Sequence, residues 1–555
     1  MSQEITDEST HRAEPPVPPA PAPAPAPVSK WSGIKAWAEQ HPGSIALWLA
    51  ALLGVGIRVN NYWLHAPTLW QDEAYWAVKT LTTRAIDAQI RPLGFMLVTQ
   101  GALRLFGPAS WVFRMLPFMG SLLSMVLAPY VATRVLRVYW SQLLAVLLLA
   151  VSPVAIEMAV EFKHYGTEVG VYMAVLAVLL HYVEKRSLFS LLLVLGVAWL
   201  SFFLSLTVIF TYPVLFAFLA WDSFRTRRFR RLGSVCAVAV LCLATIGTIY
   251  FTTWRGISAN KAEKKWGTWY DVFYIPNGLK TQYESRAAWT TAKYFELATV
   301  PGIGRELWRS PRIAQPTLER LRSTDQVAWG ALHVAGVLLL VRRRRFLELA
   351  MLWSPLLLVT AFNMAGRWPA GAFRTNTFYV AYAILIASVA PEWLLELRAE
   401  AARRYAGPSL AALLLLPTLY FKPGLSQKGL WTKPGAFTEA LLLLPKQSAR
   451  RPQRLLMDFD SCRPWTYYSG YDGPFLQVRP DIRDEYRQVC RRGVRDLKKE
   501  FQRLLRTERR GFAVLLTDNR KYDSLARLVE GSCTSPKTYW IKGQTHLLLL
   551  CGGAK

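Results

Sequence analysis

Long apolar runs separated by short polar loops recur along the chain from residue 44 to residue 421. They lack the period-two alternation of strands and hold few charges, so they predict helices. About 18 apolar residues suffice to cross a hydrocarbon core ~30 Å thick, where only helices and closed barrels satisfy their backbone groups. The runs predict about eleven spans, at approximately 44–64, 111–133, 141–160, 166–183, 188–203, 206–221, 233–253, 326–341, 346–362, 377–396 and 407–421. The pair at 188–221 is cut from one continuous apolar stretch. Residues 93–106 are apolar but short, and read as a helix lying in the interface.

The pattern changes at both ends. Residues 1–43 are polar and rich in Pro and Ala, from Glu14-Pro15-Pro16 to Ala26-Pro27. Such a segment cannot bury a core and predicts a disordered cytosolic tail; it lacks the basic start and short apolar stretch of a secretory signal. After residue 421, short apolar stretches such as Leu455-Leu456-Met457, Phe512 to Leu516 and His546 to Leu550 alternate with charged segments. They read as buried strands, and 481–510 as a long charged helix, giving a small soluble α/β domain over 422–555. The expected fold is therefore mainly α: a polytopic membrane domain over 44–421 with a C-terminal α/β domain.

Charge orients this arrangement. Lys and Arg number 66 against 37 Asp and Glu, a formal net charge of +29. Nucleic-acid binding is set aside, because the basic residues lie in loops between apolar runs and in the C-terminal region, with no nucleic-acid motif. Arg134 and Arg137, Lys185-Arg186, Arg225 to Arg228, Arg342 to Arg345 and Arg403-Arg404 all fall on one side of the predicted spans. Positive loops face the cytosol and meet anionic membrane lipids. The opposite side receives the loops 65–110, 161–165, 254–325 and 363–376 and everything after 421. The expectation is an integral protein of the plasma or inner membrane, N-terminus cytosolic and C-terminal domain extracytoplasmic. Cys236 and Cys242 fall in a span and read as buried thiols. Cys462, Cys490, Cys533 and Cys551 suit two disulfides in an oxidising compartment; of the three pairings, an intervening hairpin favours Cys533–Cys551.

The first external loop holds Trp70-Gln71-Asp72-Glu73-Ala74-Tyr75. Two adjacent acids after a span are a solvated loop or a site. Transfer of a glycosyl group to a hydroxyl needs a base for the acceptor proton, and an aspartate beside the membrane fits that task. Downstream come Arg91-Pro92-Leu93-Gly94-Phe95 and Trp111 to Pro117 with Arg114. The next external turn, Ser152-Pro153 to Glu168, gathers Glu157, Glu161, Lys163, His164, Tyr165 and Glu168. At helical spacing Glu157, Glu161 and Glu168 share one face; ionisable groups at the ends of spans mark a substrate path, where a cation would hold a lipid phosphate, and structural salt bridging explains part of the cluster. Trp254, Trp266, Trp269, Tyr270 and Tyr274 suit interface anchoring or stacking on a sugar.

These motifs, in this order, resemble the GT-C superfamily of polyprenyl-phosphate-sugar-dependent glycosyltransferases, which includes protein O-mannosyltransferases and the lipid A aminoarabinose transferase. The family's Asp-Glu pair, its Pro-containing interfacial helix, its Arg in the second span and its Glu-x-basic-x-Tyr signature correspond to Asp72-Glu73, Pro92 to Phe95, Arg114 and Glu161 to Tyr165. The resemblance covers 44–220 well and 254–421 less well. It implies Asp72 as the acceptor-activating base, with Glu73 and Glu161 in the same catalytic group. Arg91, Lys163, His164 and Tyr165 become candidate substrate contacts. Arg367 and Arg374, before a later span, would clamp the leaving phosphate or snorkel to head groups. The implied partners are a polyprenyl-phosphate-sugar donor and a lipid, glycan or protein acceptor. No metal site or cofactor is defined, and two adjacent acids leave a divalent cation open. Gly-rich phosphate loops, HExxH and Cys-x-x-Cys are absent from the sequence. A transporter or flippase, and a ligase or polymerase of lipid-linked glycans, are the alternatives.

Overall fold

A computed structural model describes residues 42–63, 69, 71–82, 91–254, 285–298, 315–365, 368, 374–395, 436–445, 453–491, 494–508, 511–516 and most of 527–552. The chain divides into residues 1–45 and 46–555; of the former, only the opening of the first helix is described. The predicted span at 407–421, the tail up to residue 41 and the aromatics at 266–274 lie outside the described residues, and Pro42 and Gly43 already belong to the first helix.

The membrane part is helical: α1 Pro42–Trp63, α2 Gln71–Thr82, α3 Leu93–Phe106, α4 Ser110–Val135, α5 Tyr139–Val151, α6 Pro153–Ala159, α7 Tyr165–Lys185, α8 Leu188–Leu204, α9 Tyr212–Arg225, α10 Phe229–Ile249, α11 Arg286–Ala298, α12 Gln315–Arg342, α13 Phe346–Met364 and α14 Val380–Leu395. Among the described residues, five helices are long and apolar enough to cross a membrane, or six if the bent pair α5–α6 counts as one span. Shorter apolar helices cover 93–106, 188–204 and 326–342. Large apolar side chains such as Leu52, Leu53, Val240, Leu243 and Phe251 point outward. Outward apolar surface on so many helices is stable only against lipid, so the chain is an integral membrane protein.

Ser152 and Pro153 break the α5–α6 span with a 47° bend. Pro supplies no N–H and starts a helix well, and the Ser152 hydroxyl caps α6 at Ala155 N. The α5 carbonyls freed by the break are met by Arg58 of α1, which is fully buried. Its guanidinium donates to Leu149 O at 3.0 Å, Ala150 O at 3.1 Å and Ser121 Oγ at 2.7 Å. Helices α4 and α7 pack through glycines: a Cβ on Gly120 would lie 2.4 Å from Thr167 Cα, and one on Gly170 2.2 Å from Gly120 O. Small residues let membrane helices approach this closely.

The basic segments meet at one end of the bundle. Arg134 pairs with Glu184 at 3.0 Å, Arg231 donates to Arg186 O at 2.8 Å, and Arg345 to Arg134 O at 3.1 Å. Glu392 accepts from Arg137 N at 2.7 Å and pairs with Arg343. Cys242 is buried, but Cys236 is exposed on α10, contrary to the sequence expectation; α10 packs by few of its faces, so position in a span did not imply a protein interior.

The C-terminal region folds as α15 Ala436–Leu442, β1 Gln453–Asp458, α16 Phe459–Tyr468, α17 Gly473–Val478, α18 Ile482–Glu485, β2 Tyr486–Arg491, α19 Val494–Thr507, β3 Phe512–Leu516, β4 Lys537–Ile541 and β5 His546–Cys551. The sheet order is β2-β1-β3-β5-β4, parallel from β2 to β3 and antiparallel beyond. Residues 481–510 are thus not one helix. Tyr486 and Val489 turn inward on β2, and Cys490 is bonded to Cys462; only 494–507 keeps the helical face of Leu497, Phe501 and Leu504. The second disulfide is Cys533–Cys551, the pair the sequence favoured. One sheet face carries α19. The other shares a continuous apolar core with α2, α3 and the start of α4, joining Trp76, Phe95 and Phe113 to Tyr467, Tyr468 and Leu515.

Candidate active site

The end of the bundle opposite the basic network holds a second set of buried charges. Glu73, on the first turn of α2, is 1% exposed. Arg114 of α4, equally buried, grips it at two points, Nε to Oε1 at 3.1 Å and Nη2 to Oε2 at 2.6 Å. The Phe162 backbone N–H also donates to Oε1. One carboxylate therefore ties α2, α4 and the α6–α7 turn together. A buried charge persists when paired and hydrogen-bonded in this way.

That turn departs from the sequence expectation. Helix α6 ends at Ala159 and α7 starts at Tyr165, so Glu157, Glu161 and Glu168 do not share one face of a helix. In a continuous helix the Phe162 N–H would bond within the helix; here Glu73 takes it. The three acids sit on α6, in the turn and on α7 respectively, and all are buried. Glu168 accepts from Ser205 Oγ at 3.3 Å and Thr207 N at 3.4 Å, with His164 Nε2 3.9 Å away. His164 lies edge-on to Phe95 and against Tyr165, and Tyr165 packs into the bundle core.

Cations collect on two aromatic rings of α2. The Arg91 guanidinium lies 3.7 Å from the Trp76 ring centre and 5.4 Å from that of Phe162. Lys163 Nζ lies 5.2 Å from Trp76. Lys79 Nζ lies 4.8 Å from Tyr75 and 5.8 Å from Trp76, and Arg463 of α16 lies 4.5 Å from Tyr75. Ring faces attract cations through their negative quadrupole. Above them, Tyr468 Oη accepts from Leu69 N at 2.8 Å and Tyr467 Oη donates to Pro108 O at 2.9 Å. Burial pushes both phenols well above their ordinary pKa, so they stay neutral and hold the C-terminal domain down by hydrogen bonds.

Of the residues singled out in the sequence, Arg91 and Lys163 meet at Trp76, Glu73 takes the Phe162 N–H, and His164 lies against Phe95, which stacks on Phe162; Glu161 is buried in the same turn, and Tyr165 turns into the bundle core. Asp72 is on the first turn of α2, but its side chain lies outside the described residues. Arg367 lies outside them entirely, as does the side chain of Arg374, whose backbone opens the 3₁₀ turn Arg374–Tyr379. Sequence reasoning missed Tyr75, Trp76, Lys79 and Arg463. The first three stand three, four and seven residues after Asp72, a helical spacing in a segment read as a loop. No local signal marks Arg463. Among the described residues, no group of three or more His, Cys, Asp or Glu is placed to hold a metal ion.

Fold and site together define a polytopic membrane protein with a buried ionisable cluster at one end of its helices, roofed by a folded C-terminal domain. No family model and no curated protein matches the sequence. Among solved structures it is similar to ArnT from Cupriavidus metallidurans in the apo state, with a TM-score of 0.47 and 15% identity over 93% of this chain and 98% of that one. It is also similar to the same protein bound to undecaprenyl phosphate, with a TM-score of 0.45 and 15% identity over 90% and 97%. The apo oligosaccharyltransferase of Archaeoglobus fulgidus gives a TM-score of 0.45 and 16% identity over 78% of this chain and 64% of that one.

Proposed function

We propose that this protein is a glycosyltransferase that moves a hexosyl or pentosyl group from a polyprenyl-phosphate donor to a lipid, glycan or protein acceptor, at the membrane face that carries the C-terminal domain. The observation behind this reading is the cost of what is buried beside the bilayer. Glu73, Glu157, Glu161 and Glu168 are at most 3% exposed, and Arg91 and Lys163 are each 6% exposed. Ionisable groups at the ends of spans are expensive and mark substrate paths.

In the reaction, the acceptor oxygen bonds to the anomeric carbon as that carbon's bond to the phosphate oxygen breaks. The electron pair leaves with the phosphate, and the hydroxyl proton passes to Asp72. Arg91 and Lys163 answer the charge that grows on the phosphate. Glu73 has both oxygens engaged by Arg114 and Phe162 N–H, which suits it to position α2 more than to accept a proton. Asp72, its neighbour on the same helix turn, is then the base, with Glu161 assisting.

The test is Asp72→Asn in purified enzyme, given polyprenyl-phosphate sugar labelled in the sugar and a membrane extract as acceptor. Transfer is expected to fall at least about a hundred-fold, the usual contribution of a general base, while the protein still inserts and keeps its thermal transition. Normal transfer in that variant would remove Asp72 from the mechanism.

A further inference from the structure

The cations of the site fall into two sets. Arg91 and Lys163 approach Trp76, and both belong to the membrane domain. Arg463 and Lys79 approach the neighbouring ring, Tyr75, at 4.5 and 4.8 Å, and Arg463 belongs to the C-terminal domain. We propose that Arg463 and Lys79 form a second seat for an anionic oxygen group of a substrate, so that the C-terminal domain supplies part of the binding site. This rests on the transferase reading above and extends it.

The placement of Arg463 is built. Asp458 caps the start of α16, accepting from Ser461 N at 3.0 Å. Cys462, the preceding residue, is bonded to Cys490 on β2. One turn further on, Tyr467 and Tyr468 hydrogen-bond to the backbone of Pro108 and Leu69. Positions 463 and 467 are four apart and share a helix face; on it Arg463 meets Tyr75 of α2, and Tyr467 meets Pro108 and Phe113 at the start of α4. On α2, positions 72, 75, 76 and 79 likewise share a face. Arg463 therefore stands over the helix face on which the proposed base is carried. Attraction to a ring acts through the guanidinium face, whereas its N–H edge is the part that reads phosphate or carboxylate oxygens at two points. Lys79 adds a compact charge on the same ring. Two sources present such oxygens, the phosphate of the lipid donor and an acidic group of the acceptor.

The experiment uses the full-length protein in nanodiscs, with Arg463→Gln, Arg463→Lys and Lys79→Gln. Binding of undecaprenyl phosphate is measured directly, and KM is measured separately for donor and acceptor. If the donor phosphate occupies the seat, Arg463→Gln and Lys79→Gln weaken undecaprenyl phosphate binding roughly ten-fold each, the loss of one charge-assisted hydrogen bond. If the acceptor occupies it, that binding is unchanged and KM for the acceptor rises by a similar factor. Arg463→Lys recovers part of either loss, and kcat moves less than KM. Unchanged binding and unchanged KM in both Gln variants overturn the seat while leaving the transferase reading intact. Wild-type protein that neither binds the lipid nor transfers sugar overturns the transferase reading and the seat with it. A loss in kcat alone, with binding and both KM values kept, makes Arg463 a merely structural residue and also overturns the proposal.

Discussion

Glu73 and Arg114 illustrate how one buried pair can be indispensable without being favourable. Each ion gave up its water, and the attraction between them mainly offsets that loss. Removing one partner leaves an uncompensated buried charge, so Glu73→Gln and Arg114→Met should each lose about 3–5 kcal/mol of stability. The double variant Glu73→Met/Arg114→Met fills the same space without charge and should regain most of it, yet remain inactive because the Phe162 N–H has lost its acceptor. Thermal unfolding in detergent with parallel transfer assays checks this; a double variant no steadier than the singles would show that the pair stabilises outright. Asp472 offers a residue-scale test outside the membrane. Burial holds its pKa above the ordinary aspartate value, although it caps α17 by accepting from Phe475 N at 2.9 Å. A raised acid pKa contributes stability that is present below the unfolded pKa and lost as pH rises through the folded one. Asn caps as well as Asp and does not ionise. Asp472→Asn should therefore match the wild type near pH 4 and melt higher by pH 8; equal melting temperatures at both pH values would contradict the burial argument.

At the scale of elements, the α4–α7 crossing decides how close the site's parts can stand. Gly120, Gly166 and Gly170 leave backbone against backbone, and this places the turn holding Glu161 and Phe162 next to the Arg114 end of α4. Gly120→Ala would press a Cβ to 2.4 Å from Thr167 Cα and should cost about 3 kcal/mol or more. Gly196→Ala on α8 meets nothing within 4 Å and should be neutral or stabilising by up to about 1 kcal/mol. Melting temperature and monodispersity of the two variants check the contrast, which fails if both behave alike. The crossing was legible in principle, since Gly166 and Gly170 are four apart, the spacing of close membrane packing. The apolar runs gave α1, α4, α7, α10 and α13 directly, because hydropathy in lipid is a strong constraint. Two features were hidden. Glu157, Glu161 and Glu168 have helical spacing, but the carboxylate that breaks that helix lies 89 residues away from Phe162. Residues 481–493 looked helical by charge, and a disulfide to Cys462 belongs to a strand pairing that no local pattern records.

Over the whole molecule, the two ends of the bundle are about 30 Å apart, taking 20 residues of α4 between Arg114 and Arg134 at 1.5 Å each. One end is closed by basic loops sharing carboxylates and carbonyls, the other by a domain that continues the apolar core into a sheet. The two disulfides separate roofing from folding. Cys462–Cys490 fixes α16, the helix that covers α2, to β2; Cys533–Cys551 fixes the far edge of the domain near α19. The loops they close span 28 and 18 residues, so each should contribute about 3 kcal/mol to domain stability by limiting the unfolded chain. Their effects on chemistry should differ. Cys462→Ser/Cys490→Ser frees the roof over the site and should lower transfer several-fold even at temperatures where the domain stays folded. Cys533→Ser/Cys551→Ser should melt the domain at a similarly reduced temperature and keep near-normal transfer below it. Measuring transfer at about 10 °C beside the thermal transition of each variant separates the two effects. Equal losses of activity would mean that α16 is no special part of the site and that the C-terminal domain acts on the membrane half only by being folded.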